Sequence, residues 1–294
     1  HVCNEDAVKQ ELGSTHTGEI IQTFISKLPF AKKQYQKYLP LMPYALEALD
    51  LSAYDIVISN ESGPTKGVIT RPDTLHVCYC LSPMRYIWDL QHEYTSKMNW
   101  IVKFIFEASA HKLRMWDYLS AQRPDKFLAI SNFVKNRINK FYRLDADIIY
   151  PPVNVDEFRA DMPRNPFYLY LGQLVPYKRA DIAMKAFEML GLPLVIIGEG
   201  EMFDELQQMA PGNVTLLGRQ NFDVVKEHLE SCRGLIFPGV EDFGIVPLEA
   251  MAAGAPVIAF RGGGALDTVI DEETGVFFDE QTPEAIVNAV NRLE

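Results

Sequence analysis

Phe167-Tyr168-Leu169-Tyr170-Leu171-Gly172 is a short apolar run that ends in glycine. Apolar residues then recur at helical spacing through 179–190, and a second apolar run, Leu194-Val195-Ile196-Ile197-Gly198, ends in glycine again. Unbroken apolar runs alternating with amphipathic segments predict parallel strands buried on both faces and joined by helical crossovers. The rhythm carries on to the C-terminus. Helices are expected at 201–209, 222–231, 245–253 and from Pro283, and strands at 214–217, 235–237, 256–260 and 276–278. Reading backwards, Pro151-Pro152 and the polar, proline-dotted residues 154–166 interrupt the pattern as a linker does. Ahead of them strands are expected at 54–59, 76–80, 126–130 and 147–150, with one long helix over about 94–121. The chain is therefore read as α/β in two domains, residues 1–155 and 156–294, the second a Rossmann-like unit. In open parallel sheets ligands sit beyond the carboxyl ends of the strands, where glycines and polar residues collect here.

Composition narrows the function classes. The 294 residues are 48% apolar and 23% charged, which suits a globular protein with a large core and excludes a disordered or small disulfide-built chain. No run approaches the ~18 uncharged apolar residues of a membrane span. The charge is uneven. Residues 1–150 hold 18 Lys and Arg against 16 Asp and Glu, while residues 151–294 hold 10 against 23. A protein of net charge −11 is poorly suited to nonspecific nucleic-acid binding, so no nucleic-acid partner is expected. Cys3, Cys78, Cys80 and Cys232 form no CxxC pair and read as reduced thiols of a cytoplasmic protein. Cys78 and Cys80 alternate along an expected strand and share one of its faces.

Several constellations carry chemistry. In Glu241-Asp242-Phe243-Gly244-Ile245-Val246-Pro247-Leu248-Glu249 a strand end leads through an acidic loop and a glycine into a helix. The first turn of that helix, at Gly244, Ile245 and Val246, offers backbone N–H groups to an anion. Glu241 and Glu249 can accept hydrogen bonds from hydroxyls on either side; alternatively they are a solvated loop acid and a helix-surface acid. In the first loop of the second domain, Gly172-Gln173-Leu174-Val175-Pro176-Tyr177-Lys178-Arg179 sets two cations against a helix dipole, which an intervening anion would explain and plain solvation would also allow. Gly262-Gly263-Gly264 implies close backbone approach or a flexible turn. Gly198-Glu199-Gly200 lacks the third glycine of a dinucleotide fingerprint, having Phe203 there. Asp145-Ala146-Asp147 precedes a strand of the first domain, away from the anion loops, and is not read as a metal site. The stretch from Phe24 to Leu46 interleaves lysines with aromatic residues and can lie on an anionic membrane surface or pack as a helix with a solvated lysine face.

These residues resemble the retaining family-4 glycosyltransferases of the GT-B fold, in particular the bacterial mannosyltransferases of O-antigen and exopolysaccharide assembly. Lys66-Gly67-Val68-Ile69-Thr70-Arg71-Pro72, Ser82-Pro83-Met84-Arg85-Tyr86-Ile87-Trp88-Asp89, Ile149-Tyr150-Pro151-Pro152-Val153, Leu174 through Arg179, and Phe237 through Gly254 carry the likeness. Glu241 and Glu249 stand at the spacing of that family's EX7E motif. The resemblance implies two Rossmann-like domains facing a central cleft. It implies a nucleotide-sugar donor, GDP-mannose, and a glycan or polyprenyl-diphosphate-linked sugar acceptor. It implies no cofactor and no metal, and a place in the cytoplasm at the inner membrane face. By the same likeness Glu241 holds the donor sugar, Glu249 the ribose, and Lys178 and Arg179 the diphosphate with Gly172, Gly244, Ile245 and Val246. Gly218, Arg219 and Gln220 line the base pocket, and Ser82, Arg85, Asp89, Ser131 and Asn132 face the acceptor side.

Three departures accompany the likeness. Gln173 stands where arginine is usual and Leu81 where histidine is usual, and the family's first strand with its glycine-rich loop, and its last helices, are expected outside 1–294. A non-catalytic nucleotide-sugar-binding pseudoenzyme, or an inactive fragment of such an enzyme, is therefore the alternative. A nicotinamide dehydrogenase and a GT-B epimerase or phosphorylase are the remaining readings.

Overall fold

The computed structural model describes residue 8, residues 18–96 and residues 98–294. Cys3 lies outside the described residues. The chain divides into two compact units, residues 1–130 with 134–149, and residues 131–133 with 150–294.

The first unit is built on a parallel sheet of β1 (Ile56–Glu61), β2 (Leu75–Cys80), β3 (Lys126–Ala129) and β4 (Asp147–Ile148), in that spatial order. Alternation along β2 buries His76, Cys78 and Cys80 completely, so the two thiols do share a face. His76 Nε2 lies 3.0 Å from Ser59 Oγ on β1, and its Nδ1 has no hydrogen-bond partner among the described residues. Burial holds this imidazole below its ordinary pKa, against the opposing pull of Asp125. The folded state thus binds fewer protons than the unfolded state below the ordinary histidine value of about 6.5. Stability from this group is complete above that pH and is lost as the pH falls from there toward the folded-state pKa. The melting temperature should fall over this range in the wild type. The fall should be shallower in His76→Gln, and equal slopes in the two proteins would refute the assignment.

Two expectations for this unit are corrected. The long helix expected over 94–121 is two helices, Gln91–Thr95 and Trp100–Ser120. Asn99 starts the second, its side chain accepting from the Val102 N–H at 3.0 Å. A sustained apolar and aromatic composition hid that cap. The stretch from Phe24 to Leu46 is not one amphipathic helix. It forms short turns at Phe24–Lys27 and Tyr35–Leu41 and short helices at Ala31–Gln34 and Met42–Glu47. Phe30 is left-handed at φ 55° and Pro40 interrupts the chain; each breaks a continuous helix. Ile25, Ala31, Met42 and Ala45 close a small core of their own.

Beneath these elements lies a buried charge network. Lys66, on the turn Thr65–Gly67, pairs with Asp117 of the helix Trp100–Ser120, both fully buried. The second oxygen of Asp117 accepts from Trp88 Nε1 at 2.8 Å and from the Tyr142 hydroxyl at 2.9 Å.

The second unit holds six parallel strands: β5 (Tyr168–Leu171), β6 (Leu194–Ile197), β7 (Val214–Gly218), β8 (Gly234–Phe237), β9 (Val257–Phe260) and β10 (Gly275–Phe278). Their spatial order is β10-β9-β8-β5-β6-β7. The order reverses between β5 and β8. Successive side chains of each strand enter opposite layers. Tyr168, Tyr170, Ile196 and Ile236 pack with the helices Ala180–Leu190 and Pro283–Leu293. Leu169, Ile197, Leu235 and Phe237 pack with Phe222–Ser231 and Ile245–Ala252. Burial on both faces is the reason the strand sequences are apolar without alternation. Cys232 sits in the second of these layers, where burial pushes its thiol up to about 12 and leaves it unreactive at neutral pH. Residues 154–166 are fastened to this unit. The Arg164 guanidinium donates to the carbonyls of Glu230 and Ala253, and the Asn165 N–H donates to Ser231 O.

Candidate functional site

The crossovers leaving β5 and β8 run to opposite sides of the sheet, which opens a crevice beyond their carboxyl ends. Both anion loops singled out in the sequence emerge there. Lys178 stands on the turn Pro176–Lys178 after β5, and its Nζ lies 2.8 Å from Glu241 Oε1 in the loop after β8. The two side chains are 16% and 24% exposed, so solvent reaches the pair without swamping it. Glycine makes the approach possible. A Cβ on Gly239 would lie 2.8 Å from Lys178 Cα, while one on Gly172 would meet the lysine amine at 3.7 Å. Under the loop, the buried Tyr170 hydroxyl donates toward Gln173 O and Lys178 O at 3.4 Å each. Burial, reinforced by the Glu241 charge, holds that phenol protonated far above its ordinary range.

Arg179 has φ 56° and its Nε is 3.2 Å from Asp181 Oδ1 in the first turn of the helix it precedes. Asp181 therefore offsets the unfavourable placement of Arg179 against the dipole. Gln173 is exposed.

After Glu241 the chain turns through Gly244, left-handed at φ 88°, into Ile245–Ala252, whose start has no side-chain cap. The N–H groups of Ile245 and Val246 have no acceptor within the helix, and Pro247 contributes none. Glu249 lies one turn on and is half-buried. Burial pushes its carboxyl above the ordinary range, with the Glu157 charge adding to the effect.

The three glycines 262–264 answer to the protein itself. The Gly264 N–H donates to Glu241 O at 2.8 Å, and Cβ atoms on Gly263 and Gly264 would come within 2.4 Å of Glu241 O and 2.3 Å of Phe243 Cα. The close approach is to the loop that carries Glu241. Gly198 and Gly200 press in the same way on Gly172 and Leu174, with Cβ positions 1.8 Å and 2.3 Å from their carbonyl oxygens. Gly264→Ala should cost about 1–3 kcal/mol of stability by overpacking. It should also open the Lys178–Glu241 pair. Urea denaturation reads the first effect, and unchanged stability would refute this packing role.

The remaining expected residues are dispersed. Gly218 ends β7 at φ 67°, followed by Arg219, and the Gln220 side chain donates to Leu217 O at 2.6 Å. In the first unit Ser82 is buried and donates to Pro83 O at 3.0 Å. Asp89 is gripped by both terminal nitrogens of Arg137, and Arg85 is half-buried. Ser131 groups with the second unit, and its hydroxyl donates to the Asp242 carbonyl. The Asn132 N–H meets Asp267 Oδ2 at 2.9 Å. Tyr150 stacks on Phe243 at 5.9 Å. Sequence reasoning passed over Tyr170, Tyr150 and Asp267, because a tyrosine in an apolar run and an acid after glycines look like core and surface. Asp145 and Asp147 each face a lysine, Lys135 at 3.1 Å and Lys126 at 2.5 Å.

Residues 155–294 match the family model described as glycosyl transferases group 1. An uncharacterized glycosyltransferase of Methanocaldococcus jannaschii is 32% identical over 179 residues, 58% of this chain and 51% of that protein. A GDP-mannose-dependent alpha-(1-6)-phosphatidylinositol monomannoside mannosyltransferase of Mycobacterium tuberculosis is 30% identical over 196 residues, 56% and 51% of the two chains. The chain spans about half the length of these relatives. Sucrose-phosphate synthase from Thermosynechococcus elongatus superposes with a TM-score of 0.66 at 19% identity, over 89% of this chain and 70% of that one. The likeness in structure, with the two parallel α/β sheets, bears out the fold class expected of GT-B.

Proposed function

We propose that the chain is a retaining glycosyltransferase that moves mannose from GDP-mannose to a glycan or polyprenyl-diphosphate-linked sugar in surface polysaccharide synthesis. The observation that carries the reading is the Lys178–Glu241 pair, 2.8 Å apart at the strand-order reversal and followed by an uncapped helix start. A cation and free N–H groups suit a diphosphate, and a carboxylate beside them suits sugar hydroxyls. The mannosyltransferase likeness supports the choice of sugar.

In this reading Lys178 and the N–H groups of Ile245 and Val246 take the diphosphate and stabilise the charge that grows as it leaves. Glu241 orients the sugar and Glu249 the ribose, while Gly218 and Arg219 flank the base. The acceptor hydroxyl attacks on the face from which the diphosphate departs, and a departing phosphate oxygen takes the proton. Anomeric configuration is kept. No metal is assigned a part. The acceptor side falls to Ser82, Arg85 and Ser131, while Asp89 serves by holding Arg137. Membrane contact is assigned to the stretch from Phe24 to Leu46, where Phe30 is 80% and Tyr44 67% exposed. No helix among the described residues is long and apolar enough to cross a membrane.

A thermal-shift titration with GDP, UDP, ADP, GDP-mannose and NAD tests the reading. Ligand at 100 times its dissociation constant should add about 2.7 kcal/mol. GDP should raise the melting temperature and GDP-mannose should raise it further. Preference for UDP or ADP would discard mannose, and silence from every nucleotide would refute the donor site.

A further inference from the structure

Lys178 and Glu241 are the two charged groups of the crevice with opposite demands on a donor, and here they satisfy each other. We infer that this ion pair is a latch that the donor's own diphosphate opens. The diphosphate takes the Lys178 ammonium, and the displaced Glu241 carboxylate turns to the sugar. The inference rests on the reading of the crevice as a nucleotide-sugar site and adds a coupling between its two halves.

The argument is one of competition. A lysine ammonium has three donors and no fixed fork, so it can change partners without moving its backbone. The backbone around it is held. Tyr170 and Gly239 fix the carbonyl and Cα of Lys178, and Gly264 fixes the carbonyl of Glu241. Rearrangement is thereby confined to the two side chains. Gly172 leaves space beside the amine, since even a Cβ built there would stand 3.7 Å from Nζ, and both side chains are partly open to solvent. A diphosphate carries more charge than one carboxylate and also meets the N–H groups of Ile245 and Val246, so it outbids Glu241 for the lysine. A ligand without that anion leaves the latch shut. The pair therefore selects for the intact diphosphate and keeps the carboxylate occupied until it arrives.

Inorganic pyrophosphate is the probe, because it has the anion and neither sugar nor base. Its affinity for the full chain is measured by calorimetry in the wild type, Glu241→Gln and Glu249→Gln. Removing the competing carboxylate should tighten binding roughly three- to five-fold in Glu241→Gln, the upper scale of one partly exposed ion pair. Glu249→Gln removes one charge from the same site but no lysine partner, and should change affinity less than two-fold. Equal tightening in both variants would reduce the effect to bulk charge and overturn the latch, as would unchanged or weaker binding in Glu241→Gln. A crystal structure of the wild type with pyrophosphate gives a second test that needs no variant. Separation of Nζ and Oε1 beyond ion-pair distance supports the latch, and an intact pair beside bound pyrophosphate overturns it. Failure of GDP, UDP, ADP and pyrophosphate alike to bind the wild type would instead remove the nucleotide-sugar reading, and the latch with it.

Discussion

Asp117→Ala is expected to destabilise the protein by about 3–5 kcal/mol, the cost of stranding a buried charge. Lys66 has no exposed surface, and its ammonium, which also donates to the Gly63 carbonyl at 3.3 Å, loses the carboxylate it pairs with. The substitution also deprives Trp88 Nε1 and the Tyr142 hydroxyl of their acceptor. The Lys66 ammonium lies 5.2 Å from the Tyr142 ring, a contact too weak to replace a carboxylate. Lys66→Met with Asp117→Leu removes both charges at similar volume and should recover most of the loss, short of the hydrogen bonds that Trp88 Nε1 and the Tyr142 hydroxyl make to Asp117. Urea denaturation of the three proteins checks the pattern. A loss below about 1 kcal/mol in Asp117→Ala would place the pair among ordinary surface bridges and refute the network.

The buried ion network and His76 belong to the first unit, and the Lys178–Glu241 pair belongs to the second. Lys66 and Asp117 are 51 positions apart, and no periodicity announces that a lysine after a strand and an aspartate within an apolar helix will meet. Their burial is a tertiary fact. The second unit, by contrast, was legible nearly strand by strand, since its strands other than the edge strand β7 are largely buried and each ends in a glycine or a polar loop. The strand expected over 194–197 and the helix expected over 222–231 stand at those bounds. What the sequence hid in this unit is where the glycines point. Gly262, Gly263 and Gly264 announce close approach, yet only the packing reveals that Gly263 and Gly264 meet the backbone of Glu241 to Phe243 while Gly262 meets the Phe260 ring. In the first unit, breaks governed by a single cap or a left-handed residue, Asn99 and Phe30, escaped a reading based on apolar spacing.

The candidate site divides along the same line. Lys178 and Glu241 were picked out separately, as a cation against a dipole and an acid in a loop, and the strand order brings them to 2.8 Å. Asp89 was also picked out, and the fold gives it to Arg137 instead of leaving it open. A motif fixes which residues stand at the ends of strands. The order of the strands decides which of those ends are neighbours.

If the crevice transfers sugar as proposed, Lys178→Ala should lower kcat by about 10²–10³, the loss seen when one preorganised group is removed from a developing anion. The fall in kcat/KM should exceed the fall in kcat, because Lys178 meets the bound diphosphate as well as the charge that grows as its bond to the sugar breaks. Lys178→Arg should recover only part of the rate. A planar guanidinium keeps the charge but offers a fixed fork of donors in place of a compact ammonium that can turn between partners. Arg179→Ala is the internal comparison. Arg179 is adjacent in sequence and equally basic, yet its guanidinium is held by Asp181, so its removal should cost less than ten-fold in rate. Single-turnover transfer or slow hydrolysis of GDP-mannose provides the readout. Equal losses at the two positions would mean that general positive potential is what matters, and the specific geometry of Lys178 and Glu241 would then have no catalytic part.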